Sequence, residues 1–166
     1  MAVQTNKFLT FMLGEEYYGI PILKVKEIIG MMTITGVPRM PDFMKGVINL
    51  RGKIIPVMDL RIKFGMAEKD YHDRTCIIVT EMESKNGRNL TGVVVDSVSE
   101  VLDIGPESIE PPPNYTDWEV DQEFLTGMGK VKEKVVMLLD ADKILTAVEL
   151  NSLTTPRESV PVEAAV

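Results

Sequence analysis

Apolar residues in this chain gather in short runs broken by glycine, proline and charged pairs, a pattern of strands and turns rather than long helices. Phe8 to Leu13 predicts a strand, Gly14-Glu15-Glu16 a turn, and Tyr17 to Ile20 the returning strand. Pro21 then opens Ile-Leu-Lys-Val-Lys-Glu-Ile-Ile. In that run Ile22, Val25, Ile28 and Ile29 fit helical spacing, with Pro21 at home in a first turn, while the alternation in Val25 to Ile29 fits a strand equally well. Met31 to Met40 is irregular or a short strand, ended by Pro38 and Pro41. Downstream, Ala67 to Arg74 is a charged connector, and Thr75 to Met82 a strand. Lys85-Asn86-Gly87-Arg88 carries the Asn-Gly pair of tight hairpins before Leu90 to Val95 and Val98 to Ile104. Pro111-Pro112-Pro113 begins a stiff, exposed loop running to about Gln122. Phe124 to Val131 and Val135 to Leu139 form a last hairpin. Asp140 caps a short helix predicted over Ala141 to Leu150, and residues 151–166 form a flexible tail.

The stretch Lys45 to Gly65, KGVINLRGKIIPVMDLRIKFG, is the most ordered in its chemistry. Two apolar runs flank Arg51-Gly52-Lys53, where glycine supplies positive φ, so a β-hairpin follows. Pro56 lacks an N–H, which predicts an edge strand or a bulge. The Asp59 carboxylate is placed to accept from the free N–H groups of a short helical turn, Leu60 to Phe64.

The chain repeats itself. Gly19, Val25, Glu27, Ile28, Ile29 and Pro38 align without a gap on Gly92, Val98, Glu100, Val101, Leu102 and Pro111. After an insertion near Asn114 to Asp121, Gly46, Leu50, Lys53, Ile54, Ile55, Met58 and Asp59 align on Gly127, Val131, Lys134, Val135, Val136, Leu139 and Asp140. A duplication implies two similar all-β units related by a pseudo-twofold, with short strands closed into barrels to hide their edges.

At 166 residues, 45% of them hydrophobic, the chain has room for one domain or two small fused barrels. A net charge of −7 argues against a phosphate-backbone partner, so nucleic acid is not expected. The single cysteine, Cys76, allows no disulfide within the chain and fits a reducing compartment. No basic-flanked apolar leader opens the sequence, and no run approaches the roughly 18 apolar residues that span a bilayer.

Catalytic chemistry is sparse. His72, the one histidine, sits in the polar run Asp70 to Arg74 and reads as a solvated connector residue. Cys76 opens an apolar strand and reads as a small core residue. Gly127-Met128-Gly129-Lys130 lacks the spacing of a phosphate loop, and no loop has calcium-site spacing, so no cofactor or metal is expected. Asp59, Asp96 and Asp140 each end an apolar strand, where capping accounts for them. An enzyme built on the acids near Asp96 and Asp140 would need a concave site with perturbed carboxylates. The remaining features suit an interaction surface. Eleven methionines crowd toward the first half, and methionine packs adaptably against helices. Val25 to Ile28 mixes polar and apolar side chains, and Arg51 offers a fork of donors with no evident intrachain partner.

The order YYGIPILKVKEII, MKGVINLRGKIIPVMDLRIKFG, TGVVVDSVSEVL and FLTGMGKV closely resembles the CheW family of chemotaxis coupling proteins, over roughly Phe8 to Leu150. The NLRG element with its following strand and DLR is the most specific part. The resemblance implies a mostly β fold of two five-stranded SH3-like β-barrels with short helices, in one domain over residues 1–150. One barrel would use both chain ends and the other the middle, about residues 43–110. It implies a cytoplasmic adaptor without enzymatic activity, joining the tip of methyl-accepting chemoreceptors to the histidine kinase CheA, with further CheW-like domains as ring partners and no membrane insertion. A paralogous adaptor in a non-flagellar array is the alternative. Receptor contact is implied for Val25, Glu27 and Ile28 in VKEI and for Gly46, Arg51 and Gly52 in KGVINLRG. Kinase-contacting positions are not assignable residue by residue.

Overall fold

The computed structural model describes residues 6–84, 87–112 and 124–144. Most of the loop expected from Pro111 to about Gln122 (residues 113–122), the helix continuation past Ile144 and the tail at 151–166 lie outside the described residues. Eleven strands occur among those described: β1 (Lys7–Leu13), β2 (Glu16–Pro21), β3 (Val25–Gly30), β4 (Met44–Leu50), β5 (Lys53–Asp59), β6 (Cys76–Ser84), β7 (Gly87–Val95), β8 (Ser97–Asp103), β9 (Ile109–Glu110), β10 (Leu125–Val131) and β11 (Lys134–Leu139). One α-helical turn, α1 (Leu60–Lys63), follows β5, and Asp59 caps it by accepting from Arg61 N–H at 2.9 Å. The ambiguous run after Pro21 divides: Ile22–Lys24 is one 3₁₀ turn, and Val25–Gly30 is strand with alternating burial. Alternation wins there because β3 has a partner, pairing Ile28 with Ile78 and Ile29 with Ile77 of β6. After Asp140 the described chain likewise makes a 3₁₀ turn, Ala141–Lys143.

The strands form two mixed sheets, ordered β8-β1-β2-β11-β10-β9 and β3-β6-β7-β5-β4. The mostly β fold of two units stands as expected, but among the described residues the first sheet has six strands and neither sheet closes into a barrel by a ladder between its outer strands. Chain bends stand in for closure. In the second sheet, the chain leaving β3 curls over the far edge, where Thr35 and Val47 exchange two backbone hydrogen bonds of 2.9 Å. In the first, the chain leaving β8 passes a 3₁₀ turn and pairs with β10 as β9. The second sheet takes strands from Val25 to Val95: β3 joins it through β6, while β8 leaves it to pair with β1. Nor is β5 an edge. It lies between β4 and β7, but its parallel ladder to β7 covers only Val57 to Asp59, so Pro56 needs no donor on that side.

The duplication is visible in the registers. Leu138 pairs with Gly19 in parallel, and the aligned residues Val57 and Gly92 pair in parallel in the other sheet. A shift between Met44 and Gly46 against β5 recurs between Leu125 and Gly127 against β11. Each sheet therefore combines strands from both halves of the chain. Ile48, Ile55, Val57, Ile77, Val79 and Val94 fill one sheet's interior, and Ile104, Val136 and Leu138 the other's. The largest cluster lies between the sheets, with Leu9, Phe11, Leu13, Met44, Met58, Ile78 and Leu139, and binds them into one body. Four rings run through it, Phe11, Tyr18, Phe64 and Phe124, with successive centroids 5.8, 5.7 and 4.7 Å apart.

Candidate functional site

The candidate residues all belong to the second sheet. Arg51 and Gly52 form the turn between β4 and β5, with φ of 53° and 89°. Positive φ at both central residues matches the right-handed strand twist, and only glycine takes it without steric cost. The Asn49 side chain steadies the turn, its Oδ1 accepting from Gly52 N–H at 2.8 Å. From this tip the Arg51 guanidinium reaches β3, where its Nη2 donates to a carboxylate oxygen of Glu27. Arg51 thus has an intrachain partner, contrary to expectation. Two motifs far apart in sequence meet because the turn of one hairpin lies against the other edge strand of its sheet. Both side chains stay in contact with water, Arg51 at 69% exposure and Glu27 at 32%.

The other candidates divide. Ile28, between Glu27 and Ile29 on the alternating strand, is 44% exposed and projects from the opposite face of β3 to Glu27. Val25 is half-buried and packs on the central core. Gly46 is buried in the body of β4, opposite Val57, away from the turn. A Cβ there would overlap the carbonyl of Thr35, and φ is 141°. The missing Cβ lets the Thr35 segment lie against β4. One exposed residue was missed: Ile54, beside the turn and paired with Asn49, is 61% exposed. The doublet Ile54-Ile55 carried the signal, since one of two neighbouring strand residues must face outward. The methionines mostly fill the core. Met44 and Met58 are buried, Met31, Met40 and Met66 pack on buried clusters, and Met32 is exposed.

The acids have structural partners. Asp59 is buried and its other oxygen accepts from Tyr71 O–H at 3.1 Å. Burial, and then the Asp59 charge, pushes the Tyr71 phenol well above its ordinary value. Burial disfavours a charged Asp96, but the hydrogen bonds from Arg61 and Gly14 N–H outweigh it and hold its carboxyl below the usual range. Asp140 accepts from Asp142 N–H at 3.0 Å. Cys76 is half-buried, and burial pushes its thiol up, which disfavours the thiolate. Among the described residues no three His, Cys, Asp or Glu side chains group to hold a metal ion, and no helix is long and apolar enough to cross a membrane.

Two β units with filled interiors, carrying exposed apolar and charged side chains, define a scaffold that presents surface. The CheW-like domain family matches residues 7–149, and the chain belongs to that family of scaffolds and adaptors, which are not enzymes. It is 43% identical to a chemotaxis protein CheW of Klebsiella aerogenes over 145 residues, 87% of this chain and 84% of that one. A chemotaxis protein CheW of Helicobacter pylori is 35% identical, over 84% of this chain and 81% of its own. The crystal structure of the scaffolding protein TtCheW from Thermoanaerobacter tengcongensis superposes with a TM-score of 0.76 at 36% identity, covering 87% of this chain and 96% of that one.

Proposed function

We propose that this protein is a cytoplasmic adaptor that couples the cytoplasmic tips of methyl-accepting chemoreceptors to the histidine kinase CheA, and that other CheW-like domains join it in the array. Glu27, Ile28 and Arg51 meet the receptor directly, Val25 supports them from the core side, and Gly46 and Gly52 fix the backbone. The observation that carries this reading is the Glu27–Arg51 ion pair. It ties VKEI to NLRG, whose strands also carry the exposed apolar side chains Ile28 and Ile54 on their other face. An amphipathic helix can lay its apolar face on such side chains and pair its charges at the rim. The likeness to proteins named for chemotaxis supports the biological setting.

Sedimentation with receptor-containing membranes, with and without the kinase, is the test. Arg51→Glu sets two acids side by side, and Ile28→Asn removes the exposed apolar contact. Both are expected to cut co-sedimentation about tenfold or more while the unfolding midpoint stays within a few degrees. Val25→Glu is a poorer probe, because Val25 packs on the core. Normal pelleting of both Arg51→Glu and Ile28→Asn would reject the surface.

A further inference from the structure

Two ion pairs stand where the chain crosses between sheets, and they are related by the duplication. Asp96 lies between β7 of one sheet and β8 of the other. It receives Arg61 Nε at 2.9 Å and Nη2 at 2.8 Å, and Gly14 N–H at 2.7 Å from the tip of the β1–β2 hairpin. Lys24 lies at the opposite crossing, between β2 and β3. Its Nζ stands 2.8 Å from Asp142, which also accepts Glu83 N–H at 2.9 Å from the end of β6. The match is positional. Asp59 aligns with Asp140, so Arg61 aligns with Asp142. Phe11 opposite Val98 stands where Thr80 stands opposite Val25, so Gly14 aligns with Glu83. Asp96 aligns with Leu23, one residue before Lys24.

The polarity is reversed. In one site the helical turn gives the cation and the crossing the anion; in the other the turn gives the anion and the crossing the cation. As a result both cations, Lys24 and Arg61, belong to the first half of the chain, and both anions, Asp96 and Asp142, to the second. We propose that these two clasps lock the sheets together and, by their reversed polarity, direct each half of the duplicated chain to pair with the other half rather than with its own kind. Two first halves would set Arg61 against Lys24, and two second halves Asp142 against Asp96. The side chains are sheltered, 11% and 17% exposed in one clasp and 25% and 29% in the other, so such clashes are poorly screened.

The lock and the direction are tested separately on the full chain. For the lock, amide exchange is followed at Gly14 and Glu83. Arg61→Met is expected to lower protection of Gly14 about tenfold or more and to spare Glu83, and Lys24→Met the reverse. Lys130→Met breaks the exposed pair with Glu110 and is expected to change neither amide. For direction, Lys24→Asp with Asp142→Lys restores an ion pair but gives each half one charge of each sign. Its urea midpoint should fall no further than loss of the Glu83 N–H bond to Asp142 requires, while refolding at increasing concentration should yield soluble oligomers, read by sedimentation velocity, that the parent does not form. Unchanged amide protection in both Met variants would overturn the lock. Refolding of the exchanged variant as cleanly as the parent would overturn the directing role.

Discussion

Replacing Gly46 by alanine tests whether a residue of the candidate surface serves the partner or the fold. A Cβ on Gly46 would overlap the Thr35 carbonyl oxygen, stand 2.7 Å from its carbon and 3.0 Å from Gly36 Cα. These are backbone atoms, which cannot rotate away. Alanine must also hold φ at 141°, a region that costs about 1–3 kcal/mol outside glycine. Relief requires Thr35 to retreat, losing both hydrogen bonds with Val47 at about 0.5–1.5 kcal/mol each. The sum is about 2–6 kcal/mol, a large share of the roughly 5–15 kcal/mol that holds a domain folded. The duplication supplies a control. At the aligned Gly127 a Cβ would meet Ile109 Cγ2 at 2.7 Å and Glu110 O at 3.1 Å, with no left-handed φ. Ile109 can turn at about 1 kcal/mol, so Gly127→Ala should be the milder change. Urea unfolding followed by circular dichroism measures both. Equal midpoints for the two variants, or a native midpoint for Gly46→Ala, would refute the steric account and return Gly46 to direct partner contact.

Other expectations follow from the polar groups. Tyr71→Phe should cost about 1 kcal/mol, since Asp59 keeps its bond from Arg61 N–H, and thermal melts at neutral pH would read it. Because burial and Asp59 raise the Tyr71 phenol, the folded state favours its neutral form. That contribution is complete below pH 10 and is lost as pH climbs toward the folded value, so the parent's melting point should fall above pH 10 more steeply than that of Tyr71→Phe. Asp96 behaves oppositely. Its depressed value gives stability that is present above the ordinary 3.8 and lost as pH falls through the folded value, so Asp96→Asn should flatten the acid limb of a urea-midpoint titration.

The sequence was most legible where local chemistry and tertiary role agree. Asp59 as helix cap, the Arg51-Gly52 turn and the strands of the Lys45 to Gly65 stretch needed only turn propensity and alternation. The repeat was legible too, and it carried the mixed origin of each sheet. Non-local facts were not. That Val25–Gly30 is strand depends on β6, whose pairing no residue in the run encodes. The tolerance of Pro56 inside a sheet depends on where the β7 ladder begins. The sheet that β8 joins is non-local too: β8 reads as a continuation of β7, and only the chain's turn at Asp96 sends it to β1. The Glu27–Arg51 contact was hidden because hairpin tips carry no signal for the strand they fold against.

The two units also separate fold from function at the candidate surface. Arg51 has a counterpart in Lys132, with φ of 53° and 58° at the same hairpin position. A backbone conformation kept in both copies belongs to the turn. The side-chain pairing is not kept. Glu100 aligns with Glu27, yet no ion pair joins it to Lys132, whereas Arg51 and Glu27 meet. An exposed pair adds about 0–1 kcal/mol, too little for stability to explain why one unit has it. Ile28 and Ile54 do not discriminate, because the aligned Val101 and Val135 are exposed as well. What is peculiar to the second sheet is therefore the charged bridge between its hairpin turn and β3. If that bridge recognises the receptor, Arg51→Glu should abolish co-sedimentation with receptor membranes and Lys132→Glu should leave it within about twofold of the parent. Equal losses from both substitutions would mean that net charge at hairpin tips, and not the bridged geometry, governs attachment.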